Sequence, residues 1–248
     1  MTAEALLALF EACAAAQRGA LASLDVAARR GQTDRPGQYA LDLIADAAVL
    51  PLLHAAEVRV LSEESGWTGP DDAPITVVLD PVDGSTNCSR GIPYWSISLC
   101  ALDADGPLCA LVVNSATGQR NHAIRDAGAW CDDVGLRSAP TERLHDATVG
   151  VAGYPARRLG WQQSRALGSA ALTLCDVAAG RLDAYLDALP DQHSPWDYLG
   201  GVLVCAEAGA TVADLRGRDL LAVEADVRRQ LVAAATPALA AEIMAEAA

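Results

Sequence analysis

The 248-residue chain contains no lysine; all eighteen of its basic residues are arginine. That absence removes the P-loop, whose lysine sits on the phosphates, and the ATP-binding lysine of protein kinases. It also removes Schiff-base chemistry, pyridoxal phosphate enzymes included. The plain reading of the missing lysine is a GC-rich coding bias, and the exclusions hold whatever its origin. Positive charge as a whole is scarce, 18 basic residues against 32 acidic, for a net charge of −14. This argues against a nucleic-acid binder that tracks phosphates and against an anionic membrane surface. Aromatics are few, with a single Phe. No run of about eighteen apolar residues occurs, so no membrane span is expected. The N-terminal "ALLALFEACAAA" is flanked and broken by Glu4 and Glu11 and has no basic residue ahead of it, unlike a secretion signal. The seven cysteines are odd in number and form no Cys-x-x-Cys pair. They read as small buried hydrophobes of a cytoplasmic protein, with neither a disulfide framework nor a structural zinc site.

What remains is globular composition, 52% hydrophobic and 20% charged, in a chain long enough for one large unit or two small ones. Residues 3–30 space Leu6, Phe10, Cys13, Leu21 and Leu24 on one helical face. "YALDLIADAAVLPLLHAA" predicts a second helix, kinked or ended near Pro51. "VRVLSEES", "ITVVLDP", "WSISLCALD", "PLCALVVNS", "QRNHAIR" and "GAWCDD" predict a middle region of sheet, with the strand at 75–81 ended by its proline. From about Ala147 strands and helices alternate. The expected class is α/β in the mixed sense, in two layered units, 1–145 and 146–248.

The stretch "LDPVDGSTN", 79–87, concentrates the chemistry. Asp80 ends an apolar strand, the proline keeps it extended, and the following turn brings Asp83 back with the Val82 carbonyl between the two. Hard oxygen donors suit magnesium and not zinc. Gly84, Ser85 and Thr86 then open a helix whose free N–H groups suit an anionic oxygen. A capped strand-to-helix turn would explain the nonapeptide alone equally well. Its company shifts the balance: Glu63 and Glu64 end the preceding strand in "LSEES", and Asp197 starts a helix in "PWDYLGG". Such strand and helix ends can meet at one crevice of an α/β protein.

Together "SEES", "DPVDGSTN" and "WDYLGGVLVCAEAGA" resemble, in order, the motifs of the inositol monophosphatase family, magnesium-dependent phosphomonoesterases related to fructose bisphosphatases. "RALGSAALTLCDVAAGRLDAY" resembles the family's helix ahead of the last motif. The resemblance runs from about residue 40 onward and implies a layered αβαβα sandwich, a homodimer and a small phosphorylated metabolite as substrate. It implies two or three Mg²⁺ ions, with Mn²⁺ an alternative: Glu63, Asp80 and the Val82 carbonyl at the first, and Asp80, Asp83 and Asp197 at the second. Gly84, Ser85 and Thr86 would hold the phosphate. Ser85 stands at the family's usual threonine and would orient the attacking water with an aspartate, for which Asp46 is the candidate. The early-helix pattern Val-Thr-x-x-Asp then puts Leu43 in the threonine's place, and Arg35 stands where an upstream lysine would be. On the substrate side the candidates are Gly168, Ser169, Ala170, Asp187 and Asp191, with His193 a tempting loop residue. The default substrate is inositol 1-phosphate or a similar sugar or cyclitol phosphate. Histidinol phosphate, a 3′-phosphoadenosine nucleotide (with Trp67, Trp161 or Tyr154 as its shelf) and a non-catalytic phosphatase-like binding protein are the alternatives.

Overall fold

In the computed structural model, which describes residues 1–35 and 37–247, the start of the chain forms α1 (Ala3–Ala22), the single turn α2 (Val26–Arg29) and α3 (Ala40–Ala55). Leu6, Phe10, Cys13, Ala14 and Leu21 recur every three or four residues of α1 and are buried together, as helical periodicity requires. By length and hydropathy α1 is long and apolar enough to cross a membrane, a property that the expectation from unbroken apolar runs passed over. Its apolar face packs against α3 and the first sheet. α3 continues through Pro51, where a kink or an end was expected. Pro51 is on the exposed side, while Leu41, Ala45, Val49 and Leu53 anchor the helix on both sides of the missing hydrogen bond.

The first sheet comprises β1 (Arg59–Ser62), β2 (Gly66–Thr68), β3 (Thr76–Asp83), β4 (Ser96–Asp103), β5 (Gly106–Asn114), β6 (Arg120–Ile124), β7 (Gly128–Cys131) and β8 (Val134–Gly135). The helix α4 (Ser85–Arg90) lies between β3 and β4. The order is β2-β1-β3-β4-β5-β6-β7-β8, parallel at β1–β3 and antiparallel elsewhere. The second sheet comprises β9 (Thr148–Ala152), β10 (Gln163–Arg165), β11 (Ala184–Asp187), β12 (Thr211–Asp214) and β13 (Leu231–Ala234), in the order β10-β9-β11-β13-β12. Three helices accompany it: α5 (Ala170–Ala178), α6 (Pro195–Glu207) and α7 (Pro237–Ala247).

Three apolar clusters define the layers. α1 and α3 cover one face of the first sheet through Val77, Leu79, Ile97, Leu99 and Leu111. α5 and α6 fill the space between the sheets, against Val78, Cys100 and Val112 on one side and Tyr185, Leu231 and Ala233 on the other. α7 closes the far face over Val149, Leu186, Val232 and Ala234. The architecture is the expected αβαβα sandwich. Covered on both faces, β3 is buried at seven of its eight residues, which explains an apolar run without alternation. The "GG" of α6 is a packing requirement. A Cβ on Gly201 would lie 2.6 Å from Leu174 Cβ of α5, and one on Gly200 2.9 Å from Ser98 Oγ of β4.

One departure matters for function. β3 does not stop at Pro81 but runs on to Asp83, with a shift of its register against β4 between Asp80 and Asp83. Such a bulge leaves residues out of the ladder, and so it accommodates a proline with no N–H to give.

Candidate active site

The bulge carries two of the three acids that converge. One carboxylate oxygen from each of Asp80, Asp83 and Asp197 lies within 4.8 Å of the others. Asp80 Oδ1 is fixed by the Val82 N–H at 2.9 Å. Asp197 is the third residue of α6, and its Oδ2 accepts the Ser194 N–H at 2.6 Å. Asp83 faces the start of α5, where it accepts the Ala171 N–H at 2.8 Å, the Ala170 N–H at 3.2 Å and the Ser169 hydroxyl. The expected substrate-side residues Ser169 and Ala170 therefore have a first task in holding Asp83, a carboxylate at a positive helix end.

Glu63, just past β1, completes the acidic group. Burial pushes its carboxyl well above the usual range, and the charges of Asp197, Glu64 and Asp42 push it further. Asp80 is raised well above its usual range by burial and then by Glu63, Asp83 and Asp197. Asp83 is pushed up to about 6 by burial and Asp197, against the pull of Ser169 and the Ala171 N–H. Buried carboxylates that repel one another are a poor arrangement for a bare protein and a good one for a divalent cation. An all-oxygen set of carboxylates fits a hard ion such as Mg²⁺ or Mn²⁺.

A pH dependence follows for the protein in chelator. Burial raises the carboxyls of Asp42, Asp83 and Asp187 from their ordinary 3.8 to about 6. A raised carboxyl holds its proton more tightly in the folded state, so it contributes stability at low pH that is lost as pH climbs through the folded value. The melting temperature in chelator should fall as the pH rises from 4 to 6.5, with Mg²⁺ flattening that fall. Differential scanning calorimetry reads both; a rising or flat curve in chelator would remove the electrostatic argument.

Beyond Asp83 the chain turns at Gly84, whose φ of 93° belongs to the left-handed region. A Cβ there would meet the Gly168 carbonyl at 2.9 Å, so only glycine fits. Asn87 ties this corner together, donating from Nδ2 to the Tyr94 and Leu167 carbonyls at 2.8 and 2.7 Å. Ser85 begins α4, where the first N–H groups have no intrahelical partner, and its hydroxyl donates to the Val82 carbonyl at 2.9 Å. Thr86 is exposed beside it, with its hydroxyl 3.4 Å from Tyr39 Oη.

The expected partner of Ser85 is corrected by the structure. Asp46 is occupied elsewhere: its Oδ1 accepts the Ser62 hydroxyl at 2.5 Å and its Oδ2 that of Ser65. The carboxylate beside Ser85 belongs to Asp42, one helical turn earlier. Asp42 is buried, with Oδ2 held by the Tyr39 N–H at 3.0 Å. Its Oδ1 has no hydrogen-bond partner among the described residues. Burial raises this carboxyl to about 6, opposed by Ser85 and the Tyr39 N–H and assisted by Glu64.

A cleft of about 360 Å³ opens next to the acids, lined by Asp83, Asn87, Val151 to Gly153, Ala166 to Ala170, Thr173, Tyr185 and His193. His193 is no idle loop residue. Its Nε2 lies 2.7 Å from Tyr185 Oη and 3.4 Å from Asp187 Oδ2, and its Nδ1 lies 3.6 Å from Asp197 Oδ2. Burial opposes its charge, but Asp197, Asp187 and Asp83 outweigh burial and raise its pKa. Asp187 stands behind it, fully buried, with neither oxygen hydrogen-bonded among the described residues. Asp191 does not line this cleft; it is exposed at the surface and paired with Arg216 and Arg218 at 3.0 and 2.7 Å. Trp67 is stacked under Arg59 and Trp161 packs under α7, so neither supplies a shelf for a base. Tyr154 is 90% exposed and follows Gly153 at the rim.

Comparison with known proteins decides what this arrangement is. Residues 42–248 match the sequence profile of the inositol monophosphatase family. The chain belongs to that family. A fructose-1,6-bisphosphatase/inositol-1-monophosphatase of Archaeoglobus fulgidus is 34% identical over 196 residues, covering 77% of this chain and 76% of its own. The inositol-1-monophosphatase of Mesorhizobium japonicum is 35% identical over 178 residues, 65% of each chain. The Nus factor SuhB of Escherichia coli is 28% identical over 194 residues, 71% of each. Among solved structures, a Pyrococcus horikoshii protein with similarities to inositol-1 monophosphatase superposes with a TM-score of 0.83 at 23% identity, over 98% of this chain and 96% of its own. As an inositol monophosphatase family member, this chain is a phosphatase, and its acidic cluster is one that could hold metal. The spacing that hides Asp42 is also clear: Tyr39 takes the helix-capping position three residues ahead of it, as Leu43 stands three residues ahead of Asp46.

Proposed function

We propose that this phosphatase hydrolyses a small phosphomonoester with Mg²⁺, inositol 1-phosphate or a related cyclitol or sugar phosphate being the default substrate. The observation that carries the reading is the convergence of Asp80, Asp83 and Asp197 beside the start of α4 and the Asp42–Ser85 pair. Glu63, Asp80 and the Val82 carbonyl would hold one ion, and Asp80, Asp83 and Asp197 a second. When bound, such ions supply Lewis acidity that favours an ionised water and offsets negative charge on the phosphoryl oxygens. The N–H groups of Gly84, Ser85 and Thr86 would grip the phosphate. Ser85 Oγ and Asp42 would orient the water, with Asp42 Oδ1 receiving its proton; a carboxyl near about 6 suits that task. The cleft walls from Val151 to Gly153 and Leu167 to Ala170 would hold the alcohol half, with His193 fixed between Asp187 and Asp197. We further expect a homodimer in the cytoplasm.

The test is phosphate release from inositol 1-phosphate, fructose 1,6-bisphosphate, histidinol phosphate and 3′-phosphoadenosine 5′-phosphate. A single preferred cyclitol or sugar phosphate supports the reading; preference for either of the last two selects an alternative within the family. Silence across the panel from folded, Mg²⁺-binding protein would favour a binding role. On the preferred substrate, Ser85→Ala should lower kcat by about 10- to 100-fold with KM within about threefold. An effect confined to KM would move Ser85 from water to phosphate.

A further inference from the structure

We propose that Gln17 of α1 is a positioning residue for the metal-binding turn, acting through the Pro81 carbonyl. The inference rests on the assignment of Asp80, Val82 and Asp83 as metal ligands, and it concerns a helix that lies outside the 42–248 segment matched to the family.

Gln17 has no solvent exposure. It follows Cys13 and Ala14 and precedes Leu21 on the buried face of α1, a face otherwise made of apolar side chains. Its Nε2 donates to the Pro81 carbonyl at 2.9 Å, across 64 residues of sequence. Its Oε1 is buried without a hydrogen-bond partner among the described residues. An apolar side chain would fill the same place and leave no polar atom stranded. What an apolar side chain could not do is satisfy Pro81.

That carbonyl needs an outside donor for a geometric reason. Asp80 pairs with Ser98 and Asp83 with Ser96, so Pro81 and Val82 together face the single residue Ile97 across the bulge. The ladder to β4 is interrupted there. The neighbouring Val82 N–H is engaged with Asp80 Oδ1, and the Val82 carbonyl with the Ser85 hydroxyl. Among the described residues the Gln17 amide is the donor that reaches the Pro81 carbonyl, and it grips the peptide between two assigned ligands. Val82, Leu21 and Trp95 pack in one apolar cluster at the same junction, which keeps α1 seated on the turn. Without the donor, the carbonyl is buried and unsatisfied, and the turn must rotate to find a partner. Asp80, the Val82 carbonyl and Asp83 would then leave their mutual arrangement together. Partners that orient metal ligands in this way typically contribute 10- to 100-fold to metal affinity.

The test uses the full-length protein with Q17M, which keeps the length and removes the donor, and Q17A, which leaves room for a water. Mn²⁺ affinity is read by electron paramagnetic resonance, and melting temperature is read in chelator and in saturating Mg²⁺. Asp80→Asn serves as the control for lost ligation. The expected result is Mn²⁺ binding weakened by about tenfold or more in Q17M. The rise in melting temperature on adding Mg²⁺ at a fixed, parent-saturating concentration should shrink. Should Q17M not fold, Q17A gives the reading. Mn²⁺ affinity equal to the parent's in a folded variant, with any loss of melting temperature the same in chelator and in Mg²⁺, would show Gln17 to be packing alone and overturn the proposal. Parent protein that binds no Mn²⁺ would instead sink the ligand assignment itself, so the two failures are distinguishable.

Discussion

Asp42→Asn should lower kcat by about 10²- to 10⁴-fold, whereas Asp46→Asn should leave kcat within about threefold. The two aspartates sit one turn apart on α3 and have the same burial, so helix position alone does not separate them. Their partners do. Both oxygens of Asp46 accept hydroxyls, from Ser62 and Ser65. That makes it a tie between α3 and the β1–β2 connection, whose loss should appear as about 1–2 kcal/mol of stability. Asp42 Oδ1 is buried beside Ser85 with no hydrogen-bond partner among the described residues, and burial raises the carboxyl to about 6. A group so placed can take a proton near neutral pH, and its amide cannot. Asparagine retains an oxygen for the Tyr39 N–H, so Asp42→Asn should fold with a melting temperature close to the parent's. Paired measurements of kcat and melting temperature decide the matter. If Asp46→Asn lost catalysis while Asp42→Asn did not, the corrected assignment would be wrong.

Asp80→Asn should produce two opposite large effects. Phosphate release at any Mg²⁺ concentration should fall by about 10³-fold or more, because Asp80 is the one residue assigned to both ions. In chelator, the same variant should melt about 2–4 °C above the parent, the shift that roughly 1 kcal/mol causes in a chain of this size. The gain comes from removing a charge that Glu63, Asp83 and Asp197 all repel, and the amide can still accept the Val82 N–H. Activity and metal-free stability thus pull in contrary directions at this residue, as expected where function needs an unfavourable charge. A variant that lost stability in chelator and kept its Mg²⁺ response would show that Asp80 is structural.

Legibility in the sequence followed chemistry that is local in the chain. Asp80, Asp83 and Gly84 sit within five residues, and their turn is set by proline, glycine and the end of a buried run. Asp197 follows a proline at a helix start, and "WDYLGG" carries its own packing reason in Gly200 and Gly201. What stayed hidden depends on where distant segments meet. Asp42 was passed over because Tyr39 occupies the capping position usually held by a small hydroxyl residue, and Leu43–Asp46 offers the same spacing. The Tyr39–Asp42 spacing at the first turn of a predicted helix was the available signal. Asp191 looked available only while Arg216 and Arg218, 25 and 27 residues later, were not in place. His193 gains its role from β11 meeting the start of α6. Pro51 and Pro81 each read as an end. Packing on both sides of the first, and a bulge at the second, carried the element through.

The most direct measurement is the rate of phosphate release from inositol 1-phosphate as Mg²⁺ is titrated into metal-stripped protein. The account predicts no release above background in chelator, a saturable rise with Mg²⁺, and a flat line for Asp80→Asn. Equal release with and without chelator, or a normal Mg²⁺ response from Asp80→Asn, would contradict it.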